Sequence, residues 1–361
     1  MPKSDPTARW YTDVGGPVLP LLNMFRSYYA DPMDTTSRRL VIAGASGFVG
    51  TALASALAED GWDIIRVGRR EAVRWTDPRA LTRAVDGAAA VINLAGKSVN
   101  CRYTDRNRDE ILRSRVATTT ALHAAVAAAS APPTVWINAS TATIYRHAMD
   151  RPNTEAAGEL GQGFSVDVAR AWEHAFFADD LPGTRRVALR MAIVVGDGPA
   201  TRLLATLART GMGGAQHDGW CPPHRRYRGI GDDPTGGPAP WYRTSGRQHF
   251  SWVHIDDVVG AVRFVLHRPD ITGPVNIASP RPSDNRTLMR TLREIVGMPA
   301  GLPSARWMLE PAMWLLRTEP ELVLKSRWVL PERLLDAGYV FARPDLRDAL
   351  EHAVRAPQVR P

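Results

Sequence analysis

The sequence contains few cysteines and no long apolar run, and each absence excludes a class of protein. Two cysteines, Cys101 and Cys221, in 361 residues do not make a disulfide framework, and this usage fits a reducing compartment. The apolar patch at residues 18–22 is short and is interrupted by Pro20, so it predicts neither a membrane span nor a signal peptide. We therefore expect a cytoplasmic protein without a membrane partner.

The charge balance is basic but lacks a concentrated block. The chain has 45 basic against 37 acidic residues and a formal net charge of +8. The arginines are scattered through the predicted helices and loops, whereas nucleic-acid binders gather them on one face or arm. We therefore expect no nucleic-acid partner, and interpret the excess as a solvated surface with some attraction for anionic ligands.

Composition divides the chain into four parts. Prolines and glycines interrupt residues 1–37, which we interpret as an extension outside the fold and compatible with disorder. Residues 38–301 alternate predicted strands and helices, with an inserted loop at 215–244. Residues 302–354 predict a small, mainly helical C-terminal domain, and 355–361 a tail.

A glycine-rich turn follows the first predicted strand. Residues 40–43 are apolar, glycines follow at 44, 47 and 50, and residues 51–58 favour a helix. In such a unit the glycines permit the tight turn, the approach of a pyrophosphate, and close packing of helix on strand. The context therefore predicts a dinucleotide site, not only a tight turn. The predicted cofactor-binding residues of this turn are Gly44, Ser46, Gly47, Phe48, Val49 and Gly50.

The second predicted strand, residues 62–67, ends at Arg69 and Arg70. An NAD-selective site places an acidic residue here to bind the ribose 2′-hydroxyl. Two guanidinium groups instead suit a 2′-phosphate, because their paired donors match its oxygens. We therefore predict NADP in preference to NAD.

Three more predicted strands complete the pattern, at residues 88–93, 134–139 and 187–195. Ligands of a doubly wound sheet lie outside the carboxyl ends of its strands, so Leu94, Ala95 and Gly96 are predicted to line the cofactor. Alternating strands and helices predict an α/β fold, a doubly wound parallel sheet of the Rossmann type.

These features together resemble the short-chain dehydrogenase/reductase superfamily in its extended and atypical branches. More narrowly, the chain is similar to the NAD(P)-dependent epimerase/dehydratase-like family with a small C-terminal extra domain. The resemblance spans residues 38–354. The motifs that carry it are the turns at 44–50 and 91–96, Ser114-Arg115-Val116, residues 140–145, Leu189-Arg190, residues 246–257 and residues 328–346.

The resemblance implies a catalytic threonine but not the usual catalytic pair. Thr141 matches the Ser or Thr that polarises the substrate oxygen. The superfamily's Tyr-x-x-x-Lys pair is replaced by Phe164 and Val168, which cannot transfer a proton. Tyr145 is then either a substitute proton donor or a wall of the substrate pocket, and Lys97 either the cation that tunes it or a solvated loop residue.

Other polar residues leave two interpretations open. Arg190 is either a buried ion-pair partner or a ligand. His254 with Asp256 and Asp257 resembles a metal cluster, but we interpret it as a helix start capped by one of the aspartates.

The inserted loop contains a second group with possible metal ligands. His217, Cys221 and His224 lack a fourth zinc ligand at familiar spacing, so we predict no metal site. We interpret the loop as a lid or a partner surface, with arginines that can meet an anionic substrate.

We therefore expect an NADP-dependent oxidoreductase or epimerase that acts on a small carbonyl, hydroxyl or sugar-nucleotide substrate. The alternative is a non-catalytic NADP-binding sensor or regulatory protein, because the Tyr-x-x-x-Lys pair is absent. A homodimer is left open by the apolar C-terminal residues, which can pack on the sheet or on a second subunit.

Overall fold

The computed structural model describes residues 38–219, 243–315 and 324–355. The predictions for the extension at 1–37, and for Cys221, His224 and most of the insertion at 215–244, fall outside these ranges. The strands are β1 (Arg39–Ala43), β2 (Asp63–Val67), β3 (Ala90–Asn93), β4 (Val135–Thr141), β5 (Arg185–Met191), β6 (Ile193–Val195), β7 (Gln216–His217), β8 (His249–Phe250), β9 (Trp252–His254), β10 (Gly273–Ile277), β11 (Ser283–Asp284) and β12 (Ser304–Ala305). The helices are α1 (Phe48–Glu59), α2 (Pro78–Val85), α3 (Asp105–Ala127), α4 (Phe164–Phe177), α5 (Pro199–Arg209), α6 (Ile255–Leu266), α7 (Asn285–Val296), α8 (Arg306–Leu315), α9 (Glu332–Asp336) and α10 (Leu346–Arg355).

Six parallel strands form the central sheet, in the order β2-β1-β3-β4-β5-β10. The strand order reverses direction at β1 and β3, and ligands of doubly wound sheets bind in the crevice at such a switch point. The predicted fold class is confirmed.

Both faces of the sheet are buried at its centre, which explains why β1 is apolar from Leu40 to Ala43. Leu40 and Ile42 of β1 belong to a core cluster that includes α1 and α6 residues. Val41 and Ala43, which point to the opposite face, belong to a second cluster with α2 and α3 residues. Alternate side chains thus enter two cores, as expected for a parallel sheet covered by helices on both sides.

One strand prediction was wrong. Residues 187–195 form not one strand but two, because the chain leaves the central sheet at Ala192. β5 pairs with β4 and β10, whereas β6 pairs with β9. The amide of Ala192 donates to the carbonyl of Ile277 at the end of β10, which holds the chain at this break. Uniform apolar composition gave no signal for the change of partner.

The C-terminal helices complete the cores of the main domain. Leu334 of α9 lies in the cluster of α1 and α6, and Leu346 and Leu350 of α10 pack with residues of α5 and α7. The tail predicted at 355–361 begins inside α10, which ends at Arg355. Among the described helices, none combines the length and apolar composition needed to cross a bilayer.

Candidate active site

The turn after β1 lies against the turn after β3. Gly44 has φ +79°, and a Cβ at this position would be 2.8 Å from the carbonyl carbon of Leu94. A Cβ on Gly50 would overlap the carbonyl oxygen of Gly44. The chain itself therefore requires glycine at both positions. Gly44 is required by its positive φ and by its contact with Leu94, and Gly50 by its contact with Gly44.

Gly47 is different, because the chain leaves room at this position. It is exposed, its φ is −79°, and a Cβ would have no chain atom nearer than 3.5 Å. Gly47 also precedes the first turn of α1, where backbone N–H groups have no intrahelical acceptor. An open glycine next to free amides is the arrangement that lets a pyrophosphate approach the backbone.

The remaining residues predicted in this turn have structural contacts of their own. The ring of Phe48 lies under the loop after β6, where a Cβ on Gly196 or Gly198 would be 2.8 Å from it. Val49 packs against the core cluster of α1 and α6, and Ser46 is exposed. The structure thus brings these residues to one edge of the sheet, with Ser46 presented to solvent.

The turn after β3 is fixed by two side chains of α3. Ser114 Oγ accepts from the amide of Lys97 at 2.9 Å, and Arg115 Nη1 donates to the carbonyl of Lys97 at 3.0 Å. Gly96 lies directly against Arg115: a Cβ added to Gly96 would be 3.2 Å from the Arg115 side chain. Burial lowers the pKa of Arg115, whose guanidinium lies 5.1 Å above the ring of Trp172. The Ser-Arg pair of the sequence motif therefore shapes the turn after β3.

A buried network of side-chain hydrogen bonds supports the turn after β3. Asn93 at the end of β3 donates to Asn138 Oδ1 at 2.7 Å and accepts from the amide of Ala95 at 3.1 Å. Asn93 also donates to Thr119, which accepts from the indole of Trp172. Satisfied buried polar groups fix geometry, so this network holds Ala95 in place.

Positive charge gathers around the ends of β2 and β3. Arg69 and Arg70 are exposed, and the amide of Gly44 donates to the carbonyl of Val67 at the end of the same strand. Lys97 Nζ forms an ion pair with Glu110 at 2.6 Å, and the pKa of Glu110 is lowered by that hydrogen bond and by nearby cations including Arg69. Lys97 is thus paired with the exposed Glu110 of α3, and its two possible roles, a tuning cation and a solvated loop residue, stay predictions.

These residues fit a dinucleotide with an added phosphate. The open glycine and free amides suit a pyrophosphate, and Leu94, Ala95 and Gly96 follow the carboxyl end of β3 beside the switch point. Two exposed arginines stand at the end of β2, where a 2′-phosphate would need cations.

Thr141 ends β4 at the same edge of the sheet. It is half-buried, its Oγ1 accepts from the amide of Thr143 at 3.2 Å, and its hydroxyl is 3.1 Å from Thr143 Oγ1. These bonds begin the short 3₁₀ helix Ala142–Ile144 and hold the oxygen of the Thr141 hydroxyl in place. Such a fixed hydroxyl can hold a substrate oxygen.

Tyr145 lies in the interior between two polar partners. Its hydroxyl accepts from Arg190 Nη1 at 2.9 Å and donates to Asn276 Oδ1 at 2.9 Å, and the residue is 2% exposed. Burial raises the pKa of Tyr145, and Arg190 offsets only part of this effect. The Tyr145 hydroxyl is thus held between Arg190 and Asn276, and its two possible roles, proton donor and wall of the substrate pocket, stay predictions.

Arg190 is a buried ion-pair partner, one of the two interpretations left open above. Its Nε and Nη2 donate to the carboxylate of Glu173 at 2.9 and 2.7 Å, and Glu173 also accepts from Ser140 Oγ at 2.6 Å. Burial by itself would lower the pKa of Arg190, but the hydrogen bonds and charge of Glu173 raise it overall. The ion pair joins α4 to β5, and the bond of Glu173 with Ser140 joins α4 to β4 at the residue before Thr141.

The positions of the missing Tyr-x-x-x-Lys pair are part of the core. Phe164 and Val168 of α4 are buried against Ile111 of α3. These two side chains pack α4 on α3, so the helix keeps its place in the fold without the pair.

The interpretation of residues 254–257 as a helix start is right, but its cap was assigned to the wrong residue. His254 itself is the N-cap of α6, and its Nδ1 accepts from the amide of Asp256 at 3.1 Å. Asp257 instead accepts from the amides of Ala342 and Arg343, and burial raises its pKa. An imidazole nitrogen one residue before the helix served as acceptor, which the usual cap preferences do not favour.

The three ligand-like groups at this place are His254, Asp256 and His352. His254 Nε2 lies 3.1 Å from His352 Nδ1, and Asp256 accepts from Arg343 at 2.9 Å. Both ring nitrogens of His254 are thus engaged within the protein, and the cluster is explained by its own hydrogen bonds.

A group of basic side chains near Thr141 was missed by sequence reasoning. His249, Lys325 and Arg327 line one cavity, and Lys325 Nζ donates to the carbonyl of Thr143 at 3.0 Å. These residues come from segments far apart in the chain, and no local motif links them. The sequence offered one signal for Lys325, the rarity of lysine: only three of the 45 basic residues are lysines.

Two family models match the chain. The model of the NAD-dependent epimerase/dehydratase family matches residues 40–278. A model described as a domain of unknown function, DUF1731, matches residues 306–353. The first match covers the sheet and the site around Gly44 and Thr141.

Three known proteins illustrate the similarity. The epimerase family protein SDR39U1 of Bos taurus is 28% identical over 326 residues, which cover 88% of this chain and 99% of that protein. A crystal structure of human epimerase family protein SDR39U1 (isoform 2) with NADPH is 25% identical, with a TM-score of 0.74, covering 88% of this chain and 100% of that chain. A crystal structure of the nucleoside-diphosphate sugar epimerase from Corynebacterium glutamicum is 26% identical, with a TM-score of 0.67, covering 92% of this chain and 61% of that chain.

Proposed function

The chain belongs to the NAD-dependent epimerase/dehydratase family, and from this premise we propose that it is an NADP-dependent oxidoreductase or epimerase. The observation that carries the proposal is the open position at Gly47, where the chain leaves room that a pyrophosphate would fill. The human relative, whose structure contains NADPH, covers 88% of this chain and supports the same cofactor.

The residues that would hold NADP lie at the ends of three strands. The amides at the start of α1 would bind the pyrophosphate, and Leu94, Ala95 and Gly96 would line the adenosine side. Arg69 and Arg70 would bind the 2′-phosphate with paired donors. When bound, the nicotinamide supplies hydride transfer to or from a carbon atom.

Thr141 would contact the reacting oxygen. Its hydroxyl now lies 3.1 Å from Thr143 Oγ1, and rotation toward a substrate would let it donate a hydrogen bond to a carbonyl oxygen as charge develops there. Behind it, the pair of Arg190 and Glu173 keeps the end of β4 in place. The substrate is then a small carbonyl or hydroxyl compound or a sugar nucleotide, the last in keeping with the bacterial relative named as a nucleoside-diphosphate sugar epimerase.

A second candidate function is a non-catalytic NADP-binding sensor or regulatory protein. The observation in its favour is the replacement of the proton-transfer pair by Phe164 and Val168, both buried in the core. Binding of NADPH without its consumption would distinguish this protein from an enzyme.

The test is NADPH oxidation against a panel of carbonyl compounds and keto-sugar nucleotides, followed by absorbance. We expect a substrate for which Thr141→Val lowers kcat/KM about 100-fold and leaves the dissociation constant of NADPH unchanged. Thr210→Val, at the exposed end of α5, is the matched control and should leave kcat/KM unchanged. NADPH binding without turnover across the panel would favour the sensor, and an unaffected Thr141→Val variant would remove Thr141 from the reaction.

A further inference from the structure

Arg69 and Lys97 follow the ends of two strands that lie on either side of β1. The strand order is β2-β1-β3, so the ends of β2 and β3 are two strand spacings, or about 10 Å, apart. Arg69 is the second residue after β2, and Lys97 is the fourth after β3. Gly44, the first residue after β1, begins the cofactor turn between them. Two long side chains can therefore reach one ligand group above the end of β1.

The backbone of Lys97 is fixed, whereas its side chain is held by an exposed partner. The amide donates to Ser114 Oγ at 2.9 Å, and the carbonyl accepts from Arg115 at 3.0 Å. The ammonium group donates to Glu110 Oε2 at 2.6 Å, and about half of the Glu110 side chain is exposed. Exposed ion pairs contribute little to stability, because water screens them. The ammonium group can therefore change partner at little cost to the fold.

The carboxylate of Glu110 lies among cations from three segments of the chain. The hydrogen bond from Lys97 lowers the pKa of Glu110, against an opposing effect of desolvation. The charges of Arg106 and Arg69 lower this pKa further. Arg106 is four residues before Glu110 on α3 and therefore shares its helix face, whereas Arg69 comes from the end of β2. Glu110 thus lies within the field of an arginine that the sequence assigns to the 2′-phosphate.

A phosphate would be a stronger partner for Lys97 than this carboxylate. A phosphate monoester carries a charge of about −1.5 to −2 at neutral pH and has three acceptor oxygens, whereas a carboxylate carries a single charge. A lysine binds phosphate as a point charge and needs no planar partner. Glu110 would keep Arg106 beside it after losing Lys97. The exchange therefore leaves each charged group near an opposite charge.

We propose that Lys97 is a third cation of the 2′-phosphate site, and that Glu110 competes with the phosphate for it. Binding of NADP then exchanges the ion pair of Lys97 and Glu110 for one between Lys97 and the 2′-phosphate, beside Arg69 and Arg70. The inference rests on the proposed function, because it adds a specificity-determining pair to the same cofactor site. It gives the two residues opposite effects on NADPH affinity: Lys97 favours binding, and Glu110 opposes it.

The test compares nucleotides that differ in the 2′-phosphate. NADPH and NADH are titrated into the full chain by fluorescence, and 2′,5′-ADP and 5′-AMP, the adenosine halves of the two cofactors, by calorimetry. Lys97→Gln removes the cation, Lys97→Arg retains it, and Glu110→Gln removes the competing carboxylate. Glu294→Gln is the matched control, because it removes an exposed carboxylate that pairs with Arg347. It lies on α7, which packs with α5 and α10 and not at the switch point.

We expect NADPH to bind about fivefold more weakly to Lys97→Gln, within about twofold of the wild type to Lys97→Arg, and about threefold more tightly to Glu110→Gln. The affinity of 2′,5′-ADP should follow that of NADPH, while those of NADH and 5′-AMP should change by less than about twofold. Glu294→Gln should leave all four affinities unchanged, which excludes a general effect of net charge. An unchanged NADPH affinity in Lys97→Gln, or an equal loss of NADH affinity, would overturn the proposal.

The competition is tested by a double variant. If Glu110 acts by holding Lys97, Glu110→Gln should gain almost no NADPH affinity in the Lys97→Gln background, because there is no ammonium group to release. A gain as large as that of the single variant would mean that Glu110 only repels the phosphate, which would overturn the exchange. Thermal unfolding checks that the variants are folded. If Lys97→Gln does not fold, an unchanged NADPH affinity in Glu110→Gln would overturn the proposal by itself.

Failure of the proposed function would be seen separately. If the wild type binds neither NADPH nor NADH, the cofactor site itself is wrong. If the wild type prefers NADPH and loses this preference in Arg69→Ala/Arg70→Ala, but is indifferent to the changes at Lys97 and Glu110, the proposed function stands and the inference fails.

Discussion

The edge of the sheet around Gly44 and the edge around Thr141 are held by different kinds of contact. Around Gly44, backbone lies on backbone: the turns at 44–50 and 94–97 touch, and two of the glycines are required by their own surroundings. Around Thr141, side chains from distant segments make the contacts: Glu173 accepts from Ser140 of β4, and Lys325 donates to Thr143 just after β4. The first edge is therefore defined by local sequence, and the second by tertiary structure.

The C-terminal region contributes to the second edge. The amide of Asn276 donates to Glu155 Oε1 at 2.8 Å, and its side chain donates to the carbonyl of Leu330 at 2.9 Å. Burial raises the pKa of Glu155, with backbone donors offsetting part of the effect. Asn276 also accepts from Tyr145, so Leu330 in the C-terminal region is linked by hydrogen bonds to the edge around Thr141.

The largest expected effect concerns the edge around Thr141 and should leave the edge around Gly44 unchanged. Arg190→Met leaves Glu173 charged and buried, which should lower the free energy of unfolding by about 3–5 kcal/mol. Urea denaturation measures the loss, and the NADPH dissociation constant of the folded fraction should not change. Arg202→Met removes the exposed partner of Asp197 and should lower the free energy of unfolding far less, because solvent screens an exposed ion pair. A loss at Arg190 no larger than that at Arg202 would contradict the assignment.

The next effect separates two glycines of the same turn. Gly44→Ala places a side chain at φ +79° against Leu94 and should destabilise the protein by about 1–3 kcal/mol. Gly47→Ala has room in the chain, so its free energy of unfolding should change by less than about 0.5 kcal/mol. NADPH affinity should nevertheless fall about tenfold in Gly47→Ala, because the methyl group occupies the ligand's place. Thermal unfolding and NADPH titration of both variants check this, and an unaltered affinity in Gly47→Ala would contradict it.

The smallest effect concerns the titration of His147. Its pKa of about 4 lies below the ordinary 6.5, so the unfolded chain binds the proton more readily and stability falls as pH drops from about 6.5 toward 4. Lys325→Gln should raise the pKa of His147 partway toward 6.5, because burial, the largest cause, remains. Imidazole NMR titration measures the shift, with Lys97→Gln as the control. If the pKa of His147 does not change in Lys325→Gln, Lys325 is not close enough to His147 to lower its pKa, which would contradict the structure.

The two edges also differ in what sequence could predict. The crevice around Gly44 follows from glycine spacing and strand ends, because backbone geometry depends on residues near one another in the chain. The pair of Arg190 and Glu173 was only half predicted, since a motif supplied the arginine but not its partner on α4. Lys325 was not predicted at all, because its neighbour Thr143 is 182 residues away in the chain. The break at Ala192 was missed for the same reason, as strand partners are a tertiary property.

The central claim is an NADP site at the edge of the sheet around Gly44. It is tested most directly by titrating the full chain with NADPH and NADH while following tryptophan fluorescence. The account predicts micromolar NADPH binding, NADH at least about tenfold weaker, and loss of this preference in Arg69→Ala/Arg70→Ala. Equal affinity of the wild type for the two nucleotides would contradict the role of the two arginines. Binding of neither nucleotide would contradict the proposed function itself.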